Sequence, residues 1–243
     1  DKNQKYIIDS IENYSLNERL CDFQIANTHS YIVNDLLSHN SHFLVQMGAA
    51  ALKLGIDVVH YTFELSEYLV GQRYDSHLCG LDFNDLMDNK EKILQTYSDK
   101  KEELGRLIIK HYPTNTASIH TIRSHLERGA TRGFRPGMMI IDYADIMRSS
   151  RQYDSLRHEL KLIYEELRGL ADELHVPVWS ACFHGDTIIK TPIGDTKIKD
   201  LVGKSNFPVY SYNHETKRVE MRTVKSVYES GKNVEVWKVT LDN

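Results

Sequence analysis

Cysteine is scarce in this chain, which has only Cys21, Cys79 and Cys182 among its 243 residues. Three thiols cannot build the disulfide framework of a small secreted domain, and this favours a reducing, cytoplasmic setting. No apolar run approaches the roughly 20 residues of a membrane span, and no signal peptide opens the chain. The sequence therefore predicts no membrane partner.

An excess of positive charge is also missing, because the formal net charge is −4 at pH 7. This excludes a general attraction to nucleic acid, so any such contact has to come from a local patch. With 41% hydrophobic and 26% charged residues, the composition suits one to three folded domains. Asp1 in place of an initiator Met, and an end at Asn243 within a strand-like run, predict a piece of a longer protein.

The periodicity of the sequence divides the chain into three segments. Residues 1–40 and 182–243 contain short alternations of apolar and polar side chains, which predict β-strands. Residues 41–181 alternate helical and strand-like patterns, which predict a parallel sheet covered by helices. We therefore predict an α/β fold with domain boundaries at 1–40, 41–181 and 182–243, in which two all-β pieces flank the α/β segment.

Individual elements follow from the same patterns. The predicted strands of the two flanks are residues 6–11, 20–25, 31–33, 188–191, 197–201, 209–213, 219–228 and 234–241. The predicted strands of the central segment are residues 57–63, 106–111, 138–143 and 176–180. Its predicted helices are residues 43–54, a segment from 67, 86–105, 118–128 and 156–174.

The first flank ends in His39 and Asn40, which are followed by Ser41. Two short apolar runs and a polar break precede this pair, and the whole flank resembles the C-terminal piece of an intein, a self-excising protein element. The resemblance implies that the Asn40 amide attacks its own backbone carbonyl, closes a succinimide and cuts the chain before Ser41. It also implies that His39 and His29 polarise that carbonyl and handle the proton, with Asp22 assisting the earlier steps.

The second flank starts with Cys-Phe-His-Gly-Asp-Thr from Cys182, and resembles the N-terminal start of an intein. The resemblance implies that the Cys182 sulfur takes the acyl group of Ala181 as a thioester, without a cofactor. It implies the Hint β-fold for both flanks, and complementary intein pieces as partners. The Thr-x-x-His motif that follows in this family is not in the chain, so splicing at Cys182 is predicted to need further residues.

Three parts of the central segment resemble the RecA-like ATPase core of DnaB-type and phage replicative helicases. They are the apolar run 139–143 that contains Asp142, the segment 63–66 that contains Glu64, and the segment 108–114. The resemblance implies ATP and Mg²⁺ as cofactors, with Asp142 holding the metal's water shell and Glu64 deprotonating the attacking water. It also implies a homo-hexameric ring on single-stranded DNA, with Arg148 and Arg151 touching the DNA backbone.

The phosphate-binding motif of that family, Gly-x-x-x-x-Gly-Lys-Ser/Thr, does not occur in the sequence. Ser41 stands directly before the first predicted helix, where the Mg²⁺-ligating last residue of that motif belongs. Residues 176–181 resemble the strand that leads to a γ-phosphate-sensing Gln, and Cys182 interrupts it. We therefore predict a helicase segment interrupted at two nucleotide-site motifs, which unwinds DNA only after the flanking helicase segments, including the arginine finger, have been joined to it.

Two other interpretations stay open at this point. In one, both flanks belong to a single permuted intein that circularises residues 41–181. In the other, residues 41–181 form a RecA-like module that binds partners without catalysis. Neither composition nor periodicity decides whether the flanks come from one intein or two.

Overall fold

A computed structural model describes residues 8–25, 31–33, 36–38, 40–153, 156–213 and 218–241. The chain divides into two compact units. One unit is His39–Ala181, and the other combines Asp1–Ser38 with Cys182–Asn243. The two ends of the chain thus belong to one unit, although the whole of the other unit separates them in sequence.

The elements are numbered in chain order. The strands are β1 (Ile8–Ile25), β2 (Tyr31–Val33), β3 (Leu36–Ser38), β4 (Val58–Thr62), β5 (Leu107–His111), β6 (Met138–Asp142), β7 (Val178–Ser180), β8 (Phe183–His184), β9 (Ile188–Thr191), β10 (Gly194–Lys197), β11 (Phe207–Asn213) and β12 (Arg218–Leu241). The α-helices are α1 (Asn40–Lys53), α2 (Glu67–Cys79), α3 (Lys90–Asp99), α4 (Ile119–Thr131) and α5 (Leu156–Leu174). Within the described ranges, no helix is both long and apolar enough to cross a lipid bilayer.

The unit His39–Ala181 is built on a four-stranded parallel sheet in the order β5-β4-β6-β7. Strand β4 is buried along its whole length and β6 along all but its first residue, as the apolar run of each predicts. Parallel neighbours need a crossover connection, and helices supply it here between β4, β5, β6 and β7. This confirms the predicted α/β fold with a parallel sheet.

Alternation along β4 divides the core into two layers. Val59, Tyr61 and Phe63 point to one face and pack in a cluster with residues of α4 and α5. Val58 points to the opposite face, where Ile140 of β6 packs with residues of α1 and α2. Because side chains along a strand alternate between faces, the even-numbered polar residues of β4 share the α1–α2 face with Val58.

The third predicted helix is shorter than the sequence pattern suggests. Residues 86–105 were expected to be helical, but α3 covers only Lys90–Asp99. Before it, Asp82 caps a short 3₁₀-helix, Phe83–Asp85, by accepting from the Asn84 N–H at 3.0 Å. After it, the Gly105 N–H donates to Leu52 O at 2.9 Å, and a Cβ on Gly105 would lie 2.1 Å from Ile56 O. Helix α3 itself ends at Asp99, where the Lys100 N–H donates to Thr96 O at 3.2 Å. The close backbone contacts of Gly105 rule out a helix that continues to residue 105.

A substitution at Gly48 tests how closely α1 packs against α2 and β6. A Cβ at this position would lie 2.1 Å from Tyr74 Oη and 2.8 Å from Ile140 Cδ1, whereas a Cβ on Gly169 of α5 meets nothing within 4 Å. Gly48→Ala is expected to lower the free energy of unfolding by about 1–3 kcal/mol through overpacking. Gly169→Ala, the control with the same gain in helix propensity, should raise it by about 0.5–1 kcal/mol. Urea unfolding measures both, and equal effects would contradict the close contact.

The second unit contains two antiparallel sheets, and each takes strands from both ends of the chain. The first sheet has the order β11-β12-β1-β8, and the second has the order β10-β9-β2-β3. Strand β1 pairs with β12 from Ile8 opposite Leu241 to Ile25 opposite Val224. In the second sheet, Val33 of β2 pairs with Ile189 of β9.

Several predicted strand boundaries of the flanks are wrong. Residues 6–11 and 20–25 were expected as two strands, but β1 runs unbroken from Ile8 to Ile25. Likewise β12 spans both 219–228 and 234–241, and register shifts in its pairing with β1 absorb the irregular sequence between them. The predicted strand 197–201 is a 3₁₀-helix over Ile198–Asp200, because the hairpin from β9 turns early: Thr191 Oγ1 donates to Gly194 O at 2.6 Å.

Candidate functional site

Ser41 and Asp142 meet at the carboxyl end of the parallel sheet. Ser41 lies in the first turn of α1 and Asp142 is the last residue of β6, and both are buried. The Ser41 hydroxyl donates to Asp142 Oδ1 at 3.1 Å. Ligand sites of open α/β sheets lie at this edge, so the fold places these two predicted site residues where such a site is expected.

The chemistry of this pair suits a small divalent cation. Hydroxyl and carboxylate oxygens are hard donors of the kind that Mg²⁺ accepts. Asp142 Oδ2 is buried and has no hydrogen-bond partner, so acceptor capacity remains at this carboxylate. Among the described residues, no group of three His, Cys, Asp or Glu side chains is placed to hold a metal. Mg²⁺ usually binds one or two protein oxygens together with waters and substrate phosphates.

Glu64 lies at the same edge of the sheet, in the loop that follows β4. Thr62 pairs with Asp142 across β4 and β6, so Glu64 follows the strand position directly beside Asp142. The loop is held by Thr62, whose Oγ1 donates to Leu65 O at 2.9 Å and accepts from the Leu65 N–H at 3.1 Å. Thr114 Oγ1 also donates to Phe63 O at 3.2 Å. The two carboxylates predicted for the site therefore lie at the carboxyl ends of neighbouring strands, Asp142 as the last residue of β6 and Glu64 in the loop after β4.

Arg73 of α2 is a site residue that the sequence patterns did not reveal. Burial lowers the pKa of its guanidinium, while the negative charges of Asp142 and Glu64 raise the same pKa. Its Nη1 is buried without a hydrogen-bond partner. The arginine stands nine residues beyond Glu64 in a different element, so only the packing of α2 on the sheet brings it to the two carboxylates.

His60 and Tyr74 are two further residues near Asp142 that sequence reasoning missed. Both are buried, and His60 Nδ1 lies 3.0 Å from Tyr74 Oη. The other ring nitrogen, Nε2, lies 3.9 Å from Asp142 Oδ2. The available signal was a histidine in the middle of an otherwise apolar buried strand, where a polar group needs a partner.

Arg148 and Arg151 follow the site in the chain. Both are exposed, in the loop after the 3₁₀-helix Ala144–Ile146. The Arg148 N–H donates to Ala117 O at 2.9 Å, which ties this loop to the start of α4. Their contact with DNA stays a prediction.

Cys182 lies in the second unit, directly before β8. It is half-buried, and the three cysteines of the chain carry thiols rather than disulfide bonds. Strand β8 pairs with β1, with Phe183 opposite Cys21, and the Gly185 N–H donates to Arg19 O at 2.6 Å. The start of the second flank is thus bound to the first flank through the backbone.

Asp186 follows in the same motif, next to two lysines. Lys197 Nζ and Lys199 Nζ each lie 2.7 Å from Asp186 Oδ1. Their hydrogen bonds lower the pKa of Asp186 to about 2, so this carboxylate is charged at neutral pH. The two lysines come from the end of β10 and the 3₁₀-helix after it, which fixes the turn that follows Cys182.

The splicing residues of the first flank cannot be placed in the same way. His29 and His39 lie outside the described residues, and so do the side chains of Asp22 and Asn40. The backbone of Asp22 lies in β1 opposite Tyr228, and Asn40 is the first residue of α1. Their roles stay predictions.

Known replicative helicases are similar in sequence to part of this chain. A DnaB-like replicative helicase of Enterobacteria phage T4 is 30% identical over 175 residues, which cover 68% of this chain and 36% of the relative. The replicative DNA helicase DnaB of Nostoc sp. is 28% identical over 145 residues, which cover 49% of this chain and 16% of the relative. The chain thus spans about a third or less of the length of these relatives.

Two solved structures resemble the chain at 17% sequence identity. One, an ATPase domain, gives a TM-score of 0.46, covering 57% of this chain and 50% of that structure. The other, a DnaB-like replicative helicase solved with its interactions with primase, gives a TM-score of 0.42, covering 55% and 35%.

The family comparison extends over the whole central unit. The profile of a family described as DnaB-like helicase C terminal domain matches residues 40–182. This stretch is more than half of the chain, and it contains Ser41, Glu64 and Asp142. The chain therefore belongs to the DnaB-like helicase C-terminal domain family.

Proposed function

We propose that residues 41–181 are the part of a replicative DNA helicase that binds Mg²⁺ and activates water for ATP hydrolysis. The observation that supports this best is the buried contact between Ser41 Oγ and Asp142 Oδ1 at the carboxyl end of β6. In this proposal the Ser41 hydroxyl ligates the metal, Asp142 holds its water shell, and Glu64 takes the proton of the attacking water. The assembled protein is a hexameric ring on single-stranded DNA in the host cytoplasm.

An ATPase site needs groups that hold the phosphates as well as groups that bind the metal and activate water. The chain carries only the second set, so in this proposal it has to be joined to a phosphate-binding segment. Phosphoryl transfer depends on positioning and on charge stabilisation around the β- and γ-phosphates. The chain carries the metal side and the water side of the site, but no Gly-x-x-x-x-Gly-Lys segment to hold the phosphates. Arg73 adds positive charge between Asp142 and Glu64, which reduces the repulsion between the two carboxylates and the triphosphate.

Nucleotide binding by the separate and the joined protein tests this proposal. We expect the 243-residue chain to show no turnover and no low-micromolar binding of Mg·ATP in calorimetry. A joined protein, with a Gly-x-x-x-x-Gly-Lys segment before Ser41 and the downstream helicase segment after Ala181, should hydrolyse Mg·ATP with a KM between about 1 μM and 1 mM. Turnover by the chain alone, or none by the joined protein, would contradict the proposal.

We further propose that the two flanks form a protein-splicing element. The interleaving of strands supports this, because β1 and β2 from the first flank complete both sheets of the second flank. Cys21 of the first flank is fully buried in a cluster with Ile189, Val209 and Val224 of the second flank. Forty residues of short strands cannot bury a core alone, so a partner segment of this kind is required.

The same interleaving bears on the choice between one intein and two. If the flanks belonged to two unrelated elements, each would need a partner from elsewhere to complete its sheets. Strand β12 instead pairs with β1 along nearly the whole length of β1. This pairing supports one shared β-fold for the two flanks. The permuted interpretation, whose product would be a closed ring of residues 41–181, is the alternative to the joined helicase proposed above.

A further inference from the structure

Buried polar side chains form a row that ends at the candidate metal site. Tyr74 Oη lies 3.0 Å from His60 Nδ1, and His60 Nε2 lies 3.9 Å from Asp142 Oδ2. Asp142 Oδ1 in turn accepts from Ser41 Oγ at 3.1 Å. All four side chains are at most 2% exposed. The row thus links helix α2, strand β4, strand β6 and helix α1.

The face of the sheet that carries this row is otherwise apolar. Val58 and Ile140 are the neighbours of His60 on that face, and both belong to the cluster packed under α1 and α2. Burying an imidazole or a phenol there is unfavourable unless each polar atom finds a partner. His60 Nε2 and Asp142 Oδ2 face each other, and neither has another hydrogen-bond partner. The pair therefore calls for a functional explanation.

Hydrogen-bond logic assigns the proton on the His60 ring. Burial and the charge of Asp142 raise the pKa of Tyr74, so its hydroxyl keeps its proton and is able to donate to Nδ1. Nε2 then carries the ring N–H and directs it at the Asp142 carboxylate. The opposite tautomer would direct a lone pair at a carboxylate oxygen, which is repulsive. The bond made by one ring nitrogen thus fixes the other as a donor.

Gly48 provides the space that this row needs. Tyr74 Oη lies so close to α1 that a Cβ on Gly48 would be 2.1 Å away from it. The helix that carries Ser41 at its start therefore also confines the Tyr74 hydroxyl two turns later. Both ends of the row are held by α1, so its members have little freedom to move apart.

We propose that Tyr74 and His60 are positioning residues, which orient the carboxylate of Asp142 for Mg²⁺. The Nε2–H group attracts Oδ2 and leaves Oδ1 as the oxygen that faces Ser41 and the metal. The distance of 3.9 Å exceeds a hydrogen bond, so the interaction is an electrostatic attraction between the ring N–H and the carboxylate, in a buried setting that strengthens it. This inference rests on the proposed metal site, and it adds two residues that touch neither the metal nor the nucleotide.

Metal binding to the full chain tests the proposal, with Mn²⁺ as the probe and electron paramagnetic resonance as the measurement of free ion. The binding component that Asp142→Asn removes defines the site. His60→Leu should weaken this component about ten-fold, as loss of an outer-shell partner typically does. His60→Gln keeps an N–H donor at the reach of Nε2 and should stay within about three-fold of the unmodified chain, since the outer-shell contact survives.

Thermal unfolding separates positioning from support of the fold. Leucine suits this apolar face, so His60→Leu should leave the Tm unchanged or higher while Mn²⁺ binding falls. A residue needed only for stability would give a lower Tm with normal Mn²⁺ binding, and that outcome would overturn the proposal. Equal losses for His60→Leu and His60→Gln would overturn it as well. If Asp142→Asn binds Mn²⁺ as the unmodified chain does, the metal site itself is wrong.

Tyr74→Phe removes one hydroxyl and serves as a second variant if His60→Leu does not fold. ¹⁵N NMR of the histidine ring should show His60 protonated at Nε2 in the unmodified chain and a mixture of tautomers in Tyr74→Phe. Mn²⁺ binding at the Asp142 site should weaken in parallel. An Nδ1-protonated His60, or a tautomer that Tyr74→Phe does not change, would overturn the positioning role of Tyr74 and His60. The proposal that Ser41 and Asp142 bind the metal would not be affected.

Discussion

Glu64→Gln in the joined helicase is expected to lower ATP turnover by about 10²–10⁴-fold, the typical contribution of a positioned base. Nucleotide binding should stay nearly unchanged, because glutamine keeps the size of the side chain at this position of the nucleotide site. Hydrogen bonds of Thr62 and Thr114 hold the loop after β4, and the change leaves both in place, so the shape of the loop should survive it. Steady-state ATPase with and without single-stranded DNA is the measurement, and unwinding should fall with it.

Glu67→Gln is the matched control for this prediction. Glu67 stands three residues later, in the first turn of α2, where it accepts from the His111 N–H at 3.0 Å and from Lys110 Nζ at 2.9 Å. These two hydrogen bonds lower the pKa of Glu67 and give it a structural role. Its replacement should cost well under about 1 kcal/mol of stability, as for an exposed ion pair, and leave turnover normal. A Glu64→Gln protein that unwinds DNA normally would reduce Glu64 to a loop residue.

Mixed rings extend the same experiment. If nucleotide sites lie between subunits of a ring, one Glu64→Gln subunit also lowers the contribution of its neighbours to unwinding. Hexamers that mix Glu64→Gln with unmodified subunits should then lose unwinding more than in proportion to the modified fraction. A linear loss would indicate that the sites act independently.

Asn40→Ala is expected to abolish cleavage between residues 40 and 41. The Asn40 amide nitrogen attacks its own backbone carbonyl, the bond to the Ser41 nitrogen breaks, and Ser41 leaves with a free amine while residue 40 becomes a succinimide. Alanine has no amide nitrogen, so no ring can form and release should fall to background. Mass spectrometry of the fragment that begins at Ser41 is the measurement, with Asn84→Ala, an exposed asparagine of a 3₁₀-helix, as the control.

The dependence of this cleavage on added protein distinguishes the two arrangements of the flanks. If both flanks form one element, release should begin in the chain alone, and its rate should not depend on concentration. If they belong to two inteins, release should require a separately supplied N-terminal intein piece. Equal cleavage in Asn40→Ala and in the unmodified chain would show that Asn40 is not the cleaving residue, whichever arrangement holds.

Local pattern was sufficient to predict the architecture of the unit His39–Ala181, and the resemblance to replicative helicases indicated three residues of its candidate site. The short apolar run that ends in Asp142 favours a buried strand with a carboxylate at its carboxyl end, and parallel strands bring such ends to one edge. Glu64 and Ser41 follow from their places after a strand and before a helix. The strands and helices need only periods of two and 3.6 residues, which are properties of the sequence itself. The site roles of Ser41, Glu64 and Asp142 come from the resemblance to replicative helicases.

Only the tertiary structure brought Arg73, Tyr74 and His60 to these residues. Tyr74 is 14 positions from His60, and Ser41 is 101 positions from Asp142, so neither contact has a local signal. The same holds for β1 and β12, whose pairing joins the two ends of the chain, and for the unbroken course of each strand through a polar stretch. The order of apolar and polar residues in the sequence shows which face of a helix or strand is apolar. Which elements meet across that face is decided by packing and by backbone pairing over long distances, and these depend on the whole chain.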